Sequence, residues 1–69
     1  MERTPVSSSN LSAVGYDVDR QALEVEFKNG AVYEYAGVPD GEHDGLMSAG
    51  SKGTYFNANI KNRYPFVKL

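Results

Sequence analysis

Leu23-Glu24-Val25-Glu26-Phe27-Lys28-Asn29-Gly30-Ala31-Val32-Tyr33-Glu34-Tyr35 reads as two alternating strands joined at an Asn-Gly turn. Leu23, Val25 and Phe27 alternate with Glu24, Glu26 and Lys28, the period of two of a half-buried strand, and the pattern resumes at Tyr33 and Tyr35 around Glu34. Asn-Gly between alternating runs is a strong hairpin signal. A two-residue loop of Asn29 and Gly30 sets Phe27 against Val32 and puts both tyrosines on the outer face with the glutamates. A three-residue loop, with Gly30 in a left-handed bulge, pairs Val25 with Tyr33 and Leu23 with Tyr35. A slip of one residue exchanges the faces, so only one register is right. The bulged register is preferred, because a small domain needs its apolar residues inside. The other would leave Tyr33 and Tyr35 as an exposed stacking platform.

Upstream, Ser12-Ala13-Val14-Gly15-Tyr16-Asp17 suggests a first strand, with Val14 and Tyr16 on one face, and Asp17 to Gln21 a turn of the Asx type. Downstream, Pro39 with Asp40, Glu42 and Asp44 marks a helix start whose acids meet the positive end of the dipole. His43, Leu46, Met47 and Gly50 then form a short stripe. Gly50-Ser51 breaks that helix, and Ser51 caps a second one expected to run to about Arg63, with Phe56, Ile60 and Tyr64 toward the sheet and Asn57 and Lys61 toward water. Pro65 makes Tyr64 to Leu69 an extended tail, which covers the end of the core or adds an edge strand. The expected fold is α+β: a three-stranded antiparallel meander followed by two short helices packed on one face, with an extended C-terminal tail. Residues 1–6 are expected to be a flexible lead-in, and 7–69 a single domain.

Sixty-nine residues without cysteine exclude disulfide staples and thiolate metal sites. Apolar content of 41% and charge of 23% are those of a globular chain. No apolar run reaches membrane-spanning length and no signal-peptide pattern opens the chain, so a cytoplasmic protein with no membrane partner is expected. The net charge of −2 is unevenly spread. Every acid lies at or before Asp44, whereas Lys52, Lys61, Arg63 and Lys68 follow it. An acidic total argues against strong non-specific nucleic-acid binding, but the basic C-terminal third keeps a local contact open.

Asp40-x-Glu42-x-Asp44-Gly45 looks like the start of a calcium loop, yet Ser51 stands where a bidentate Glu is needed, and acids at a helix start explain it better. Gly45 to Lys52 nearly spells a phosphate loop, with its last pair reversed and no buried strand feeding it. His43 is the sole histidine and has no spaced serine partner, so it reads as a partly exposed helix residue. No catalytic residue, metal or cofactor is expected. The stretch Ser51-Lys52-Gly53-Thr54-Tyr55-Phe56-Asn57 is the candidate binding site. Its free helical N–H groups with Lys52, Thr54 and Asn57 suit a phosphate, Tyr55 suits a base, and Lys61 and Arg63 extend the basic face. The plainer reading is that Ser51 caps, Gly53 permits close packing, and Tyr55 and Phe56 are core.

Gly15-Tyr16-Asp17, then Leu23-x-Val25-x-Phe27-x-x-Gly30-x-x-Tyr33-x-Tyr35-x-x-Val38-Pro39, then Ala49-x-Ser51-Lys52-Gly53-x-Tyr55-Phe56-Asn57-x-x-Ile60, resembles the KTSC family over roughly residues 6–69. That family is named for the C-terminus of some lysyl-tRNA synthetases and also occurs as short bacterial proteins, with a central Tyr-x-Tyr motif. The resemblance implies a small non-catalytic binding module. RNA is the partner suggested by the synthetase context, and a protein partner is the alternative. The Gly41 to Gly45 stretch departs from the more apolar helix start expected of the family, which bears on how regular the first helix is.

Overall fold

The computed structural model describes residues 2–69; Met1, the first residue of the expected lead-in, lies outside them. Its elements run β1 (Arg3–Pro5), β2 (Leu11–Asp17), β3 (Ala22–Phe27), β4 (Val32–Tyr35), α1 (Asp40–Ser48), α2 (Lys52–Asn59) and β5 (Phe66–Lys68). The strands form one antiparallel sheet in the order β1-β2-β3-β4-β5, so each pairs with its neighbours in sequence. The α+β class and the two helices on one face are as expected.

The central hairpin takes the bulged register. Leu23 faces Tyr35 and Val25 faces Tyr33. The Phe27 and Gly30 amides close the loop on the Ala31 and Phe27 carbonyls at 2.9 Å each. Gly30 sits at φ 92°, in the left-handed region that glycine enters without a Cβ penalty, and the Asn29 side chain accepts from the Ala31 amide at 3.0 Å. The β2–β3 turn is also as read: Asp17 Oδ1 accepts from the Asp19 and Arg20 amides at 3.1 and 3.3 Å.

Two elements differ from the sequence expectation, and the C-terminal tail takes the edge-strand alternative. Arg3 to Pro5, expected to be a loose lead-in, pairs with Ala13 to Gly15 as edge strand β1, where Pro5 is tolerated because an edge residue has no outer partner to serve. The C-terminal tail is edge strand β5, so the sheet has five strands rather than three. The second helix ends at Asn59 rather than Arg63. There the Asn59 side-chain Nδ2 donates to the Tyr55 carbonyl at 3.2 Å, and the Ile60 and Lys61 N–H groups both donate to the Phe56 carbonyl. Asparagine side chains compete with the backbone in this way and favour helix ends. The polar Gly41 to Gly45 stretch nevertheless lies in a continuous helix, with Asp40 and Glu42 in its first turn.

The core lies between the inner sheet face and the helices. Leu11, Val14, Leu23, Val25, Val38, Leu46 and Ile60 are fully buried, with Tyr35 and Phe56 nearly so. Val14, Leu23 and Val25 come from the inward positions of adjacent strands, and Leu46, Phe56 and Ile60 from the helical side. Burying each such side chain stabilises by about 1.5–3 kcal/mol. On the other sheet face Glu24 stands opposite Glu34. Arg3 pairs with Glu24 at 2.8 Å and Arg20 with Glu34 at 3.2 Å, offsetting the repulsion of like charges directly across a ladder. No helix among the described residues is long and apolar enough to cross a membrane.

Candidate functional site

The start of α2, where sequence reading places the candidate site, is engaged with its own fold. Ser51 caps the helix: its Oγ accepts from the Thr54 amide at 3.4 Å and bonds Thr54 Oγ1 at 2.9 Å. Lys52 Nζ turns back to the Ala49 carbonyl at 3.1 Å, a last-turn carbonyl region that favours a cation. Gly53 is buried, and a Cβ there would come within 2.5 Å of Asn10 Oδ1. Tyr55 crosses to α1 and donates to Glu42 Oε1 at 2.6 Å, while Tyr64 donates to Glu42 Oε2 at 3.1 Å. Glycine at 45 makes this possible, since a Cβ would collide with the Tyr55 ring and hydroxyl. The bond to Glu42, then burial, holds the Tyr55 hydroxyl above its ordinary pKa; for Tyr64 burial leads and the same carboxylate adds to it. Tyr55 is therefore a brace between the helices in this conformation. Arg63 is exposed in the turn after α2.

Asn57 and Lys61 lie elsewhere. Both border a cleft of about 470 Å³ between the end of α2 and the inner face of β3, β4 and β5. Tyr33 and Tyr35 line it too, so the structure joins these four candidate residues at one place and leaves Ser51, Lys52, Gly53, Thr54, Tyr55 and Arg63 outside its lining. Both tyrosines lie on the inner face, as the bulged register requires, but they are not sealed: Tyr35 is buried at the floor and Tyr33 is half-buried. Burial and the neighbouring Tyr33 raise the pKa of Tyr35.

The apolar lining is a closed circuit of five aromatic rings. Phe27 contacts Tyr33, Tyr33 contacts Phe66, Phe66 contacts Tyr35, Tyr35 contacts Phe56, and Phe56 returns to Phe27, with centroids 5.4–5.7 Å apart. These spacings and their edge-on or tilted angles are those aromatic pairs prefer. Phe66 is 52% exposed, so its ring is an open wall rather than core. The polar rim is Asn10, Asn29, Asn57, Lys61 and Asn62, with no carboxylate in the lining. The ladder also puts Lys68 across from Tyr33, on the same face. No buried side-chain nitrogen or oxygen is left without a partner among the described residues, so the polar groups of the cleft without an internal bond open to solvent.

Sequence reasoning found Tyr33, Tyr35, Asn57 and Lys61 but missed Phe27, Phe66, Asn10, Asn29 and Asn62 as cleft residues. The available signal was Phe27, Tyr33 and Tyr35 on one strand face together with a further aromatic, Phe66, directly after Pro65.

A second group lies at the start of α1, where Asp40, His43 and Asp44 bring possible ligand atoms within 4.8 Å of one another. The two carboxylates are exposed, and the His43 ring stacks on Tyr16 at 4.6 Å. Tyr16 in turn donates to the Val38 carbonyl at 2.6 Å. Acids in the first helical turn account for this arrangement.

The KTSC domain profile matches residues 7–64. An uncharacterized protein of Stutzerimonas stutzeri is 42% identical over 64 residues, 93% of this chain and 90% of its own. A lysine–tRNA ligase of Nostoc punctiforme is 39% identical over 61 residues, which are 88% of this chain but 11% of the ligase. The crystal structure of a KTSC domain protein from Yersinia pestis superimposes with a TM-score of 0.94 at 43% identity, covering 99% of this chain and 96% of that one. With the profile spanning most of its length and relatives of this identity matching nearly end to end, the chain belongs to the KTSC domain family.

Proposed function

We propose that this KTSC domain is a small non-catalytic module that binds single-stranded RNA on its inner face, around the aromatic cleft. The observation that carries the reading is the cleft itself: five aromatic rings, four asparagines and Lys61, with no acid. Unstacked bases are recognised by stacking on such rings and by hydrogen bonds to their edges, while lysine meets the phosphates. The acidic total of the chain is not an obstacle, because Glu24, Glu26 and Glu34 lie on the opposite sheet face. The similarity to a segment of a ligase named for lysine and tRNA agrees with an RNA partner.

An amide-proton titration with a mixed single-stranded RNA pool, at low and then moderate salt, tests the reading. Shifts in residues 29–35, 56–62 and 66–68 that fade with salt are expected. A flat response at low salt refutes it.

A second reading has its own observation. Phe66, Val67 and Leu69 are more than half exposed on the β5 edge, where a partner's strand can add to the sheet. Recovery of a partner protein whose binding is abolished by Val67→Pro, with RNA inert, would favour it.

A further inference from the structure

Stacking alone asks only for exposed aromatic rings, as on a flat platform. The cleft offers more. Its rings touch one another in a closed chain and line a concavity, with the buried Tyr35 and Phe56 as floor and the more exposed Phe27, Tyr33 and Phe66 as walls. Its volume of about 470 Å³ is that of a small-molecule site, within the roughly 300–1,000 Å³ of ordinary ligand pockets.

The polar groups are not spread evenly around it. Asn29 is engaged in its own turn, with Oδ1 on the Ala31 amide, and Asn10 Oδ1 takes the Ser8 hydroxyl. Asn57, Lys61 and Asn62 gather at the α2 end, all exposed. Arg3 and Arg20 carry the ion pairs of the described residues, and Lys61 is in none of them. One end of the slot thus combines a free ammonium with two amides, each able to donate and accept. The body of the slot is aromatic. A ligand that fits this division has a flat heteroaromatic part with an edge of donors and acceptors, and an anionic group at one end.

We infer that the cleft is a slot for one unstacked nucleobase of a nucleotide unit, with the base against Tyr33 and Phe66, its edge toward Asn57 and Asn62, and its phosphate on Lys61. This rests on the RNA reading above and narrows it. The site takes a nucleoside monophosphate on its own, and it rejects duplex, whose bases are stacked inside and cannot enter. An aromatic peptide side chain would fill the apolar part but leave Lys61 without an anion. A cationic ligand would be repelled by Lys61 in a lining that has no carboxylate.

The test is an amide-proton titration of the full chain with the 5′-monophosphates of adenosine, guanosine, cytidine and uridine, with the matching nucleosides, and with inorganic phosphate. At least one nucleotide is expected to shift amides of 31–35, 56–62 and 66. Lys61→Met should weaken the nucleotide about fivefold and leave the nucleoside unchanged. Phe66→Ala, at a half-exposed edge residue, should weaken both by at least about fivefold. Both variants are first checked for the wild-type spectrum outside the cleft, and Asn57→Ala, at an exposed helix position, is the substitute if Phe66→Ala disturbs the sheet. Nucleotides that shift nothing, or that act no differently from inorganic phosphate, overturn the slot. If the RNA pool then still shifts residues outside the cleft, RNA binding stands and the slot alone falls. If RNA is silent as well, both fall.

Discussion

The Tyr55 hydroxyl reaches over Gly45 to donate to Glu42 across the junction of α1 and α2, at 2.6 Å. This contact explains a sequence feature that helix propensity counts as a defect. Glycine inside a helix costs about 1 kcal/mol relative to alanine, yet here a methyl group would displace the brace. Gly45→Ala should therefore destabilise the wild-type protein by about 1–3 kcal/mol in urea unfolding. In a Tyr55→Ala background the same change should stabilise by up to about 1 kcal/mol, because only propensity is left. A loss of equal size in both backgrounds would refute the brace.

Four tyrosines set a pH dependence, two of them through the same carboxylate. The pKa values of Tyr16, Tyr35, Tyr55 and Tyr64 are all raised in the folded chain, by burial at Tyr16, Tyr35 and Tyr64 and by the Glu42 bond at Tyr55. Folding thus favours the neutral phenols. Their contribution is fully present below the unfolded tyrosine value of about 10 and is lost as pH rises through the folded values. Urea midpoints should fall steeply above pH about 10, with tyrosinate absorbance lagging that of unfolded chain. Tyr55→Phe should reduce the fall.

Two glycines with open space around them should respond in opposite directions. Gly30 has nothing within 4 Å of the place a methyl group would take, but it sits at φ 92°. Gly30→Ala is expected to cost about 1–2 kcal/mol through backbone strain alone. Gly41 also has open space, in ordinary helical geometry, and Gly41→Ala should stabilise by up to about 1 kcal/mol. Thermal melts of the two variants check both signs.

RNA binding through one slot should depend weakly on salt. Single strands lose affinity with a slope of about −0.7 in log K against log salt for each phosphate neutralised. Lys61 and Lys68 together give a slope of about −1.4, and Lys61→Met should flatten it by about half. A slope several times steeper would point to a broad basic surface instead of the cleft.

How much of this was legible depends on whether the determinant was local. Asn29-Gly30, with Phe27 before it and Tyr33 and Tyr35 after it, contains its own register, because turn chemistry and face alternation are properties of adjacent residues. The Asp17 turn and the Ser51 cap were legible for the same reason. Edge strand β1 was not, and β5 was legible only as one alternative to core cover: Arg3 to Pro5 and Phe66 to Lys68 are three residues each, with no alternation long enough to read, and they are strands because a neighbour offers a ladder. The cleft is less local still. It draws Asn10, Phe27, Tyr33, Phe56, Lys61 and Phe66 from five separate stretches of chain. The Ser51 to Asn57 stretch was legible as a helix start, but its partners Ala49, Asn10 and Glu42 are set by packing.

The outer wall of the slot is carried by β5, three exposed residues bonded on one side only, through contacts such as Ala36 N–H to the Pro65 carbonyl and Leu69 N–H to the Val32 carbonyl. A ladder so short opens by local unfolding long before the β2–β3 centre of the sheet does. The Ala36 and Leu69 amides, which bond across the two ends of this ladder, should accordingly exchange with solvent deuterium faster than the β2–β3 ladder amides, and a saturating nucleotide should slow them. Part of the intrinsic affinity then goes into closing the strand, so a variant that seals β5 onto β4 would bind more tightly without gaining a single contact to its ligand.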